Sequence, residues 1–318
     1  MRKKREFNSP LTPQKRTVGN LNYKSMKKVF LTSVVLLMAV MAQAQTKISA
    51  KLVNGFKAVY TEESTIDVGG SAVKVVEENE YAVSNVTAQG AMITVTTTKV
   101  STDGDENPMA GILTAGAKIM EGVPVKFNTD ADGKVTGVAN LDEVKAQMAK
   151  ASKAIFDKIF EASPELAAAV PRESLESQFA ENMNEEALMT SVAGNGVLAL
   201  NGKTIANGAT ESDKSEEGLK MKRMYFVAGK SIIANSTLDM TTEELKDFII
   251  KKIEEEVPEQ AEMVKENIGM LMEQLKPEVT SKSTYVMQDN GWPKSVKTET
   301  TQNMMGQSQK QTTVVTLK

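Results

Sequence analysis

Three short patterns combine residue types that can do chemistry. Ser71-Ala72-Val73-Lys74 has the Ser-x-x-Lys spacing in which a lysine activates a serine nucleophile. That chemistry needs both residues at the start of a helix. Here Val73, Val75 and Val76 make a strand pattern, which sends Ser71 and Lys74 to opposite faces. Asn128-Thr129-Asp130-Ala131-Asp132-Gly133 opens like a calcium-binding EF-hand loop, but the twelfth position needs a carboxylate and holds Ala139. Its flanks alternate as strands, so it reads as an acidic hairpin turn. Asp103, Asp105 and Glu106 read as a second acidic turn. There is no nucleophile elbow, Walker loop or dinucleotide fingerprint.

The chain has no cysteine and no histidine. Disulfides, thiol nucleophiles, thiolate or imidazole metal sites and Ser-His-Asp machinery are therefore excluded, and no cofactor is expected. Paired carboxylates can serve a hydrolase, but acidic residues are too numerous for sequence alone to single out a pair. Methionine is the compositional oddity, with 15 of the 19 lying after residue 44. It fills irregular cores and also lines adaptable apolar surfaces. If a pocket for an acyl chain lies between helices and sheet, its candidate lining is Met148, Ile155, Met263, Met270 and Leu271.

The elements that must position these residues follow from hydrophobic period. From Ile48 to about Val100, β-branched runs punctuated by Gly55, Gly69-Gly70 and Gly90 predict strands. Val123–Val138 predicts a hairpin turning at Asp130–Gly133. Asn140 is the expected cap of a helix with Asp142 and Glu143 in its first turn and a stripe of Leu141, Val144, Met148, Ile155 and Ile159. Further helices are expected through Phe179 and Leu188 to Val192. Gly196–Ala206 and Met221–Leu238 predict strands, with a polar connection over Asn207–Gly218. Two helices follow around Leu245–Ile253 and Val264–Leu275, and polar strands run from Thr284 to Leu317 about the turns Asn290-Gly291 and Met305-Gly306. This order predicts an α+β fold: an antiparallel sheet, curved or half-barrel, with helical segments packed on one face. A subdivision near residue 194 is open, because each half holds strands and helices.

Residues 26–44 have the three parts of an export signal. Lys27 and Lys28 are positive, Val29–Met41 is an uncharged apolar run, and Ala42-Gln43-Ala44 places cleavage between Ala44 and Gln45. The run is too short for a lasting membrane anchor, which takes about 20 residues. Residues 1–25 are a basic, turn-rich extension, either an over-extended gene start or a disordered arm. Residues 45–318 are the expected mature domain. Loss of 1–44 removes nine basic groups and Glu6, leaving 29 basic and 40 acidic groups and a net charge of −11, with Arg172 and Arg223 the only arginines. Such a chain is a poor partner for nucleic acid and for anionic membrane surfaces. Aromatics are few, which argues against sugar platforms and membrane-barrel girdles.

The signal ending before Gln45, the strand-turn Asp132–Val138 leading into a helix, the Asn201–Gly208 strand and the turn Asp289-Asn290-Gly291-Trp292-Pro293 resemble an exported, β-rich protein family of unknown function typical of Bacteroidota. The resemblance implies a periplasmic or cell-surface location and no established activity. At fold level there is also a likeness to envelope lipid and lipoprotein carriers, whose open barrels are covered by helices. The expected function is therefore a non-enzymatic protein of the cell envelope that binds a hydrophobic ligand or an envelope protein. One alternative is an assembly factor acting through exposed strands, the polar C-terminal ones being the candidates. The other is a carboxylate-based hydrolase.

Overall fold

Alternation along the long strands divides each into an inner and an outer side. On Ser71–Ser84 the residues Val73, Val75, Glu77, Asn79, Tyr81 and Val83 face inward, while Lys74, Glu78 and Glu80 face outward. The computed structural model describes residues 45–68, 71–103, 117–162, 172, 184–194, 196–214, 218–256, 262, 265–269, 278–304 and 307–318. The strands in chain order are β1 (Gln45–Lys47), β2 (Lys57–Val68), β3 (Ser71–Ser84), β4 (Gly90–Asp103), β5 (Pro124–Asp130), β6 (Val135–Val138), β7 (Thr204–Ala206), β8 (Thr210–Lys214), β9 (Lys220–Ala228), β10 (Ser231–Leu238), β11 (Glu278–Met287), β12 (Pro293–Met304) and β13 (Gln307–Leu317). The helices are α1 (Leu141–Ala162), α2 (Glu185–Ala193) and α3 (Thr242–Glu256).

Eleven strands form one antiparallel sheet in the order β6-β5-β4-β3-β2-β13-β12-β11-β10-β9-β8, and β1 pairs with β7 in a separate ribbon. The protein is mostly β, with a large sheet that is not closed and a few helices. Strands from both sides of residue 194 share that sheet, and Gln45–Lys318 form one compact unit. Bulges opposite Glu78/Asn79, Asn128/Thr129 and Val286/Met287 add local twist.

One end of the inner face carries the core. Tyr60, Tyr81, Ile93, Phe127, Tyr225, Tyr285, Trp292, Val296 and Val315 are buried there with Val144 and Met148 of α1 and Leu188 and Val192 of α2. Each such side chain contributes about 1.5–3 kcal/mol by leaving water. Two of the aromatics are anchored at their polar tips: the Tyr60 hydroxyl donates to Pro293 O at 2.8 Å, and Trp292 Nε1 to Lys51 O at 3.4 Å. Phe56 and Trp292 lie 5.0 Å apart, ring to ring. A smaller cluster joins Leu245 of α3 to Ile268, packed with Leu238 and Phe248.

Several sequence expectations change here. Asn140 precedes α1, and its carbonyl accepts the first helical bond from Val144, but its side chain does not cap. Asn140 Oδ1 accepts from Lys126 N at 2.8 Å and its amide donates to Pro124 O, so it tethers the helix to β5. Gly196–Ala206 is not one strand. Residues 197–202 form successive tight turns, with Ala199 N, Asn201 N and Lys203 N each bonded three residues back, and only Thr204–Ala206 is extended. Four consecutive buried residues, Val197–Leu200, defeat the alternation a half-buried strand requires. The polar stretch 207–218 contains the strand β8. The C-terminal polar segment is not an exposed edge: β11, β12 and β13 lie in the middle of the sheet, and the edges are β6 and β8. Threonine-rich strands look like rim material, but Thr and Ser also suit a central strand whose inner face is polar.

Gly291 shows how the turns hold the core. Its φ is +78°, and a Cβ there would lie 2.1 Å from Ser49 O; Gly55 shares the positive φ, +81°, with open space around it. Gly291→Ala is expected to cost several kcal/mol in chemical denaturation, while Gly55→Ala costs about 1 kcal/mol.

Candidate functional site

The inner face beyond the core is ordered in rows set by strand register. One row runs Glu77, Glu62, Val315, Val296, Tyr285, Ile232 across β3, β2, β13, β12, β11 and β10. The next runs Val75, Ser64, Thr313, Thr298, Ser283, Ala234, and the one beyond it runs Val73, Ile66, Gln311, Thr300, Ser281, Ser236, Arg223. The second and third rows are therefore ladders of hydroxyls and amides above an apolar row. Cross-strand partners satisfy one another: Ser64 with Thr313 at 2.9 Å, Ser283 with Thr298 at 2.9 Å, and Thr300 donating to Ser281 at 3.1 Å. These rows, with Thr190 and Ser191 of α2, wall a recess of about 250 Å³.

The two acids interrupt the apolar row at its β2–β3 end. Glu62 and Glu77 are directly opposite in register, an arrangement that is unfavourable when both are charged. Burial, then the Glu77 charge, pushes the Glu62 carboxyl up to about 7. Burial also raises Glu77, and a hydrogen bond from Asn79 pulls it partly back. Asn79 is itself oriented by Thr97, whose hydroxyl donates to its Oδ1 at 2.8 Å. Glu62 and Tyr81 both line the recess.

A larger cleft of about 890 Å³ lies at the seam of the sheet. Its lining includes Val135 and Thr136 of β6 and Glu211, Asp213 and Lys214 of β8, so the sheet curls until its two edges flank one opening. Helix α2 and the turns at 197–202 occupy the gap. Glu185 Oε1 accepts from Val138 N at 2.8 Å, satisfying the β6 edge, and at the far end of α2 Gly194 O accepts from Arg223 at 3.4 Å. On the β8 side, Glu211 accepts from Lys203 at 2.5 Å and from the Tyr225 hydroxyl, while Arg223 pairs with Asp213 at 3.3 Å. Burial works against the Glu211 charge, but bonds from Lys203 and Tyr225 outweigh it and hold the carboxyl below its usual range. Asn201, 3 % exposed on the cleft wall, has an amide Nδ2 without a partner among the described residues.

Of the pocket lining singled out from sequence, the described residues include one side chain, that of Met148. Met148 is 1 % exposed and packs in the core. The Ile155 side chain, Met263, Met270 and Leu271 lie outside the described residues, as do Ala44, Asp105 and Glu106. Gln45 opens β1 opposite Ala206. Lys74 ion-pairs with Glu63 at 2.8 Å. Asp130 Oδ1 accepts from Asp132 N and Lys134 N, and Asp132 pairs with Lys47, which commits the acidic turn to its own backbone and one lysine. Among the described residues no cluster of three metal-ligating side chains occurs, and no helix is long and apolar enough to cross a membrane. The Glu62–Glu77 pair and the hydroxyl rows were not anticipated.

The raised carboxyl has a measurable consequence. Above the unfolded-state value of 4.5 the unfolded chain has released this proton, while the folded chain holds it up to about 7. Folding thus takes up a proton across that window, and stability falls as pH rises through it. Glu62→Gln is expected to flatten this slope and to stabilise the protein by about 1–3 kcal/mol at pH 8, read from denaturation midpoints at pH 4.5, 6 and 8.

No family model matches the chain, and no curated protein does. Among solved structures it is similar to a lipovitellin chain from work on lipid–protein interactions, at 10 % identity and a TM-score of 0.37, covering 84 % of this chain and 25 % of that one. It is also similar to a porin-like protein from Bacteroides uniformis, at 9 % identity and a TM-score of 0.20, covering 85 % and 99 % of the two chains. This chain thus spans a quarter of the lipovitellin chain's length.

Proposed function

We propose that this chain is an exported, non-enzymatic binding protein of the cell envelope, periplasmic or surface-located, whose concave sheet face takes an amphiphilic ligand. The observation that carries the reading is the recess, whose walls bring the hydroxyls and amides of Ser64, Thr298, Thr300 and Gln311 together with the apolar side chains of Val279, Met221 and Val315. A ligand in this recess meets hydrogen-bonding groups and apolar side chains together. This narrows the hydrophobic ligand expected from sequence, because a bare acyl chain would leave the Glu62 carboxyl and the Gln302 and Gln311 amides facing hydrocarbon. Export rests on the signal pattern at 26–44, and the non-catalytic reading on the absence of histidine and cysteine.

Purification from the native host followed by organic extraction and mass spectrometry tests the proposal. An amphiphile in near-stoichiometric amount is expected. Thr298→Val with Thr300→Val removes two hydroxyls at nearly constant shape and should reduce the bound amount about tenfold without loss of fold, the equivalent of one or two lost hydrogen bonds. Wild-type protein that carries no amphiphile, and takes up none when offered lysophospholipids in vitro, would overturn the reading.

A further inference from the structure

We infer that the ligand's polar part carries a primary ammonium group, held by the Glu62 and Glu77 carboxyls and the Tyr81 hydroxyl. This rests on the amphiphile reading above and specifies its head group. The Glu62 carboxyl lines the recess and receives no hydrogen bond among the described residues. Glu77 stands opposite it on β3, and no lysine or arginine forms an ion pair with either acid among the described residues. The second observation is independent of the acids. Tyr81 is 5 % exposed, lines the same recess, and its hydroxyl has no hydrogen-bond partner among the described residues. By contrast, Tyr60 beside it is satisfied by Pro293 O, and the Ser and Thr rungs satisfy one another. Glu62 and Tyr81 thus place unmet polar capacity together at one corner of the recess.

The chemistry of that corner favours a cation with N–H donors. Two carboxyls and a phenol are three acceptor-bearing side chains, one for each N–H donor of a primary ammonium. A divalent metal would need about six oxygens, and the described residues offer no third carboxylate there. A trimethylammonium group has the charge but no N–H donors, so it leaves the acceptors unmet. The charged and titratable groups that face the pair are Tyr60 and Tyr81 from β2 and β3, Lys214 from β8 and Arg223 from β9 across the recess; α2 contributes the uncharged Thr190 and Ser191. Arg223 is paired with Asp213 at 3.3 Å, on the far side from the acids. Binding of the ammonium favours ionised acids, so it releases a proton from the pair and tightens as pH rises. The raised Glu62 carboxyl puts that change near neutrality.

The test is titration calorimetry of the delipidated full-length mature protein with three lysophospholipids of one chain length, bearing ethanolamine, choline or glycerol head groups, at pH 6 and 8. Free phosphoethanolamine is the fourth probe and separates a soluble ligand from a lipid. The ethanolamine lipid is expected to bind about tenfold tighter than the other two at pH 8, and less preferentially at pH 6. Glu62→Gln, which conserves shape and relieves a buried charge, should erase the preference and its pH dependence while keeping the circular dichroism of the wild type; Glu77→Gln should act in the same direction. Tight phosphoethanolamine binding with no gain from the chain keeps the ammonium site and overturns the lipid source. Equal binding of all three lipids, or an undiminished preference in both Gln variants, overturns the ammonium site and leaves the amphiphile reading standing. Binding of no lipid and no phosphoethanolamine overturns both.

Discussion

An antiparallel sheet that curls without closing leaves two strand edges, and here a single nine-residue helix lies in the gap between them and bonds one. Unpaired strand edges invite pairing with other chains. Helix α2 answers on one side with Glu185, whose carboxylate takes the Val138 N–H of β6. At its other end Gly194 O receives the guanidinium of Arg223 on β9, the strand next to the β8 edge. Between these ends Leu188 and Val192 enter the core, and the turns that follow tie Gly202 N to Ile48 O and Ile48 N to Lys203 O, anchoring the β1 ribbon. The charged side chains of β8 blunt what edge is left. Everything on the inner face depends on this seam, because the rows of the recess exist only while eleven strands hold one register.

That seam also decides how the inner face meets solvent. Thr190 and Gly194 line both the recess and the seam cleft, as does Lys214 of β8. The helix is thus the partition between the two spaces, held by one carboxylate–amide bond and one long guanidinium–carbonyl bond besides its two buried apolar residues. Such a wall is weaker than the sheet it joins, whose strands are bonded along ten or more residues at β2, β3 and β12.

Much of the sheet was legible because alternation survives in it. In β3 every second residue from Val73 to Val83 points inward, and the period is plain in the residues themselves. The acid pair was also within reach. Val68 pairs with Ser71, and counting outward from them places Glu62 opposite Glu77. Reading each strand for its own faces, without pairing it to the next, hides that. The segment 197–206 failed for another reason. Its residues are apolar enough for a strand, yet four in succession are buried by folding back on themselves, a tertiary outcome that local propensity does not encode. Asn140 failed because a cap-forming side chain had a second backbone amide, Lys126 N, within reach from a neighbouring strand. Methionine drew attention by abundance, but Met148 shows the ordinary outcome, a flexible side chain filling space under a helix.

The hydroxyl rows and the acids make different contributions to any binding. A Ser–Thr rung that bonds across two strands is already satisfied, so it tolerates a ligand without demanding one; its net worth is about 1 kcal/mol whichever partner it finds. A carboxyl without a donor is different in kind, because burial penalises its charge and its neighbour's charge adds to the penalty. The protein tolerates that cost by keeping the proton near neutral pH. Replacing the proton with a positively charged donor removes both penalties at once, whereas a neutral donor removes neither completely. On the proposed reading, selectivity would reside in the corner that the fold leaves unsatisfied, and the satisfied rows would supply a surface for the rest of the ligand.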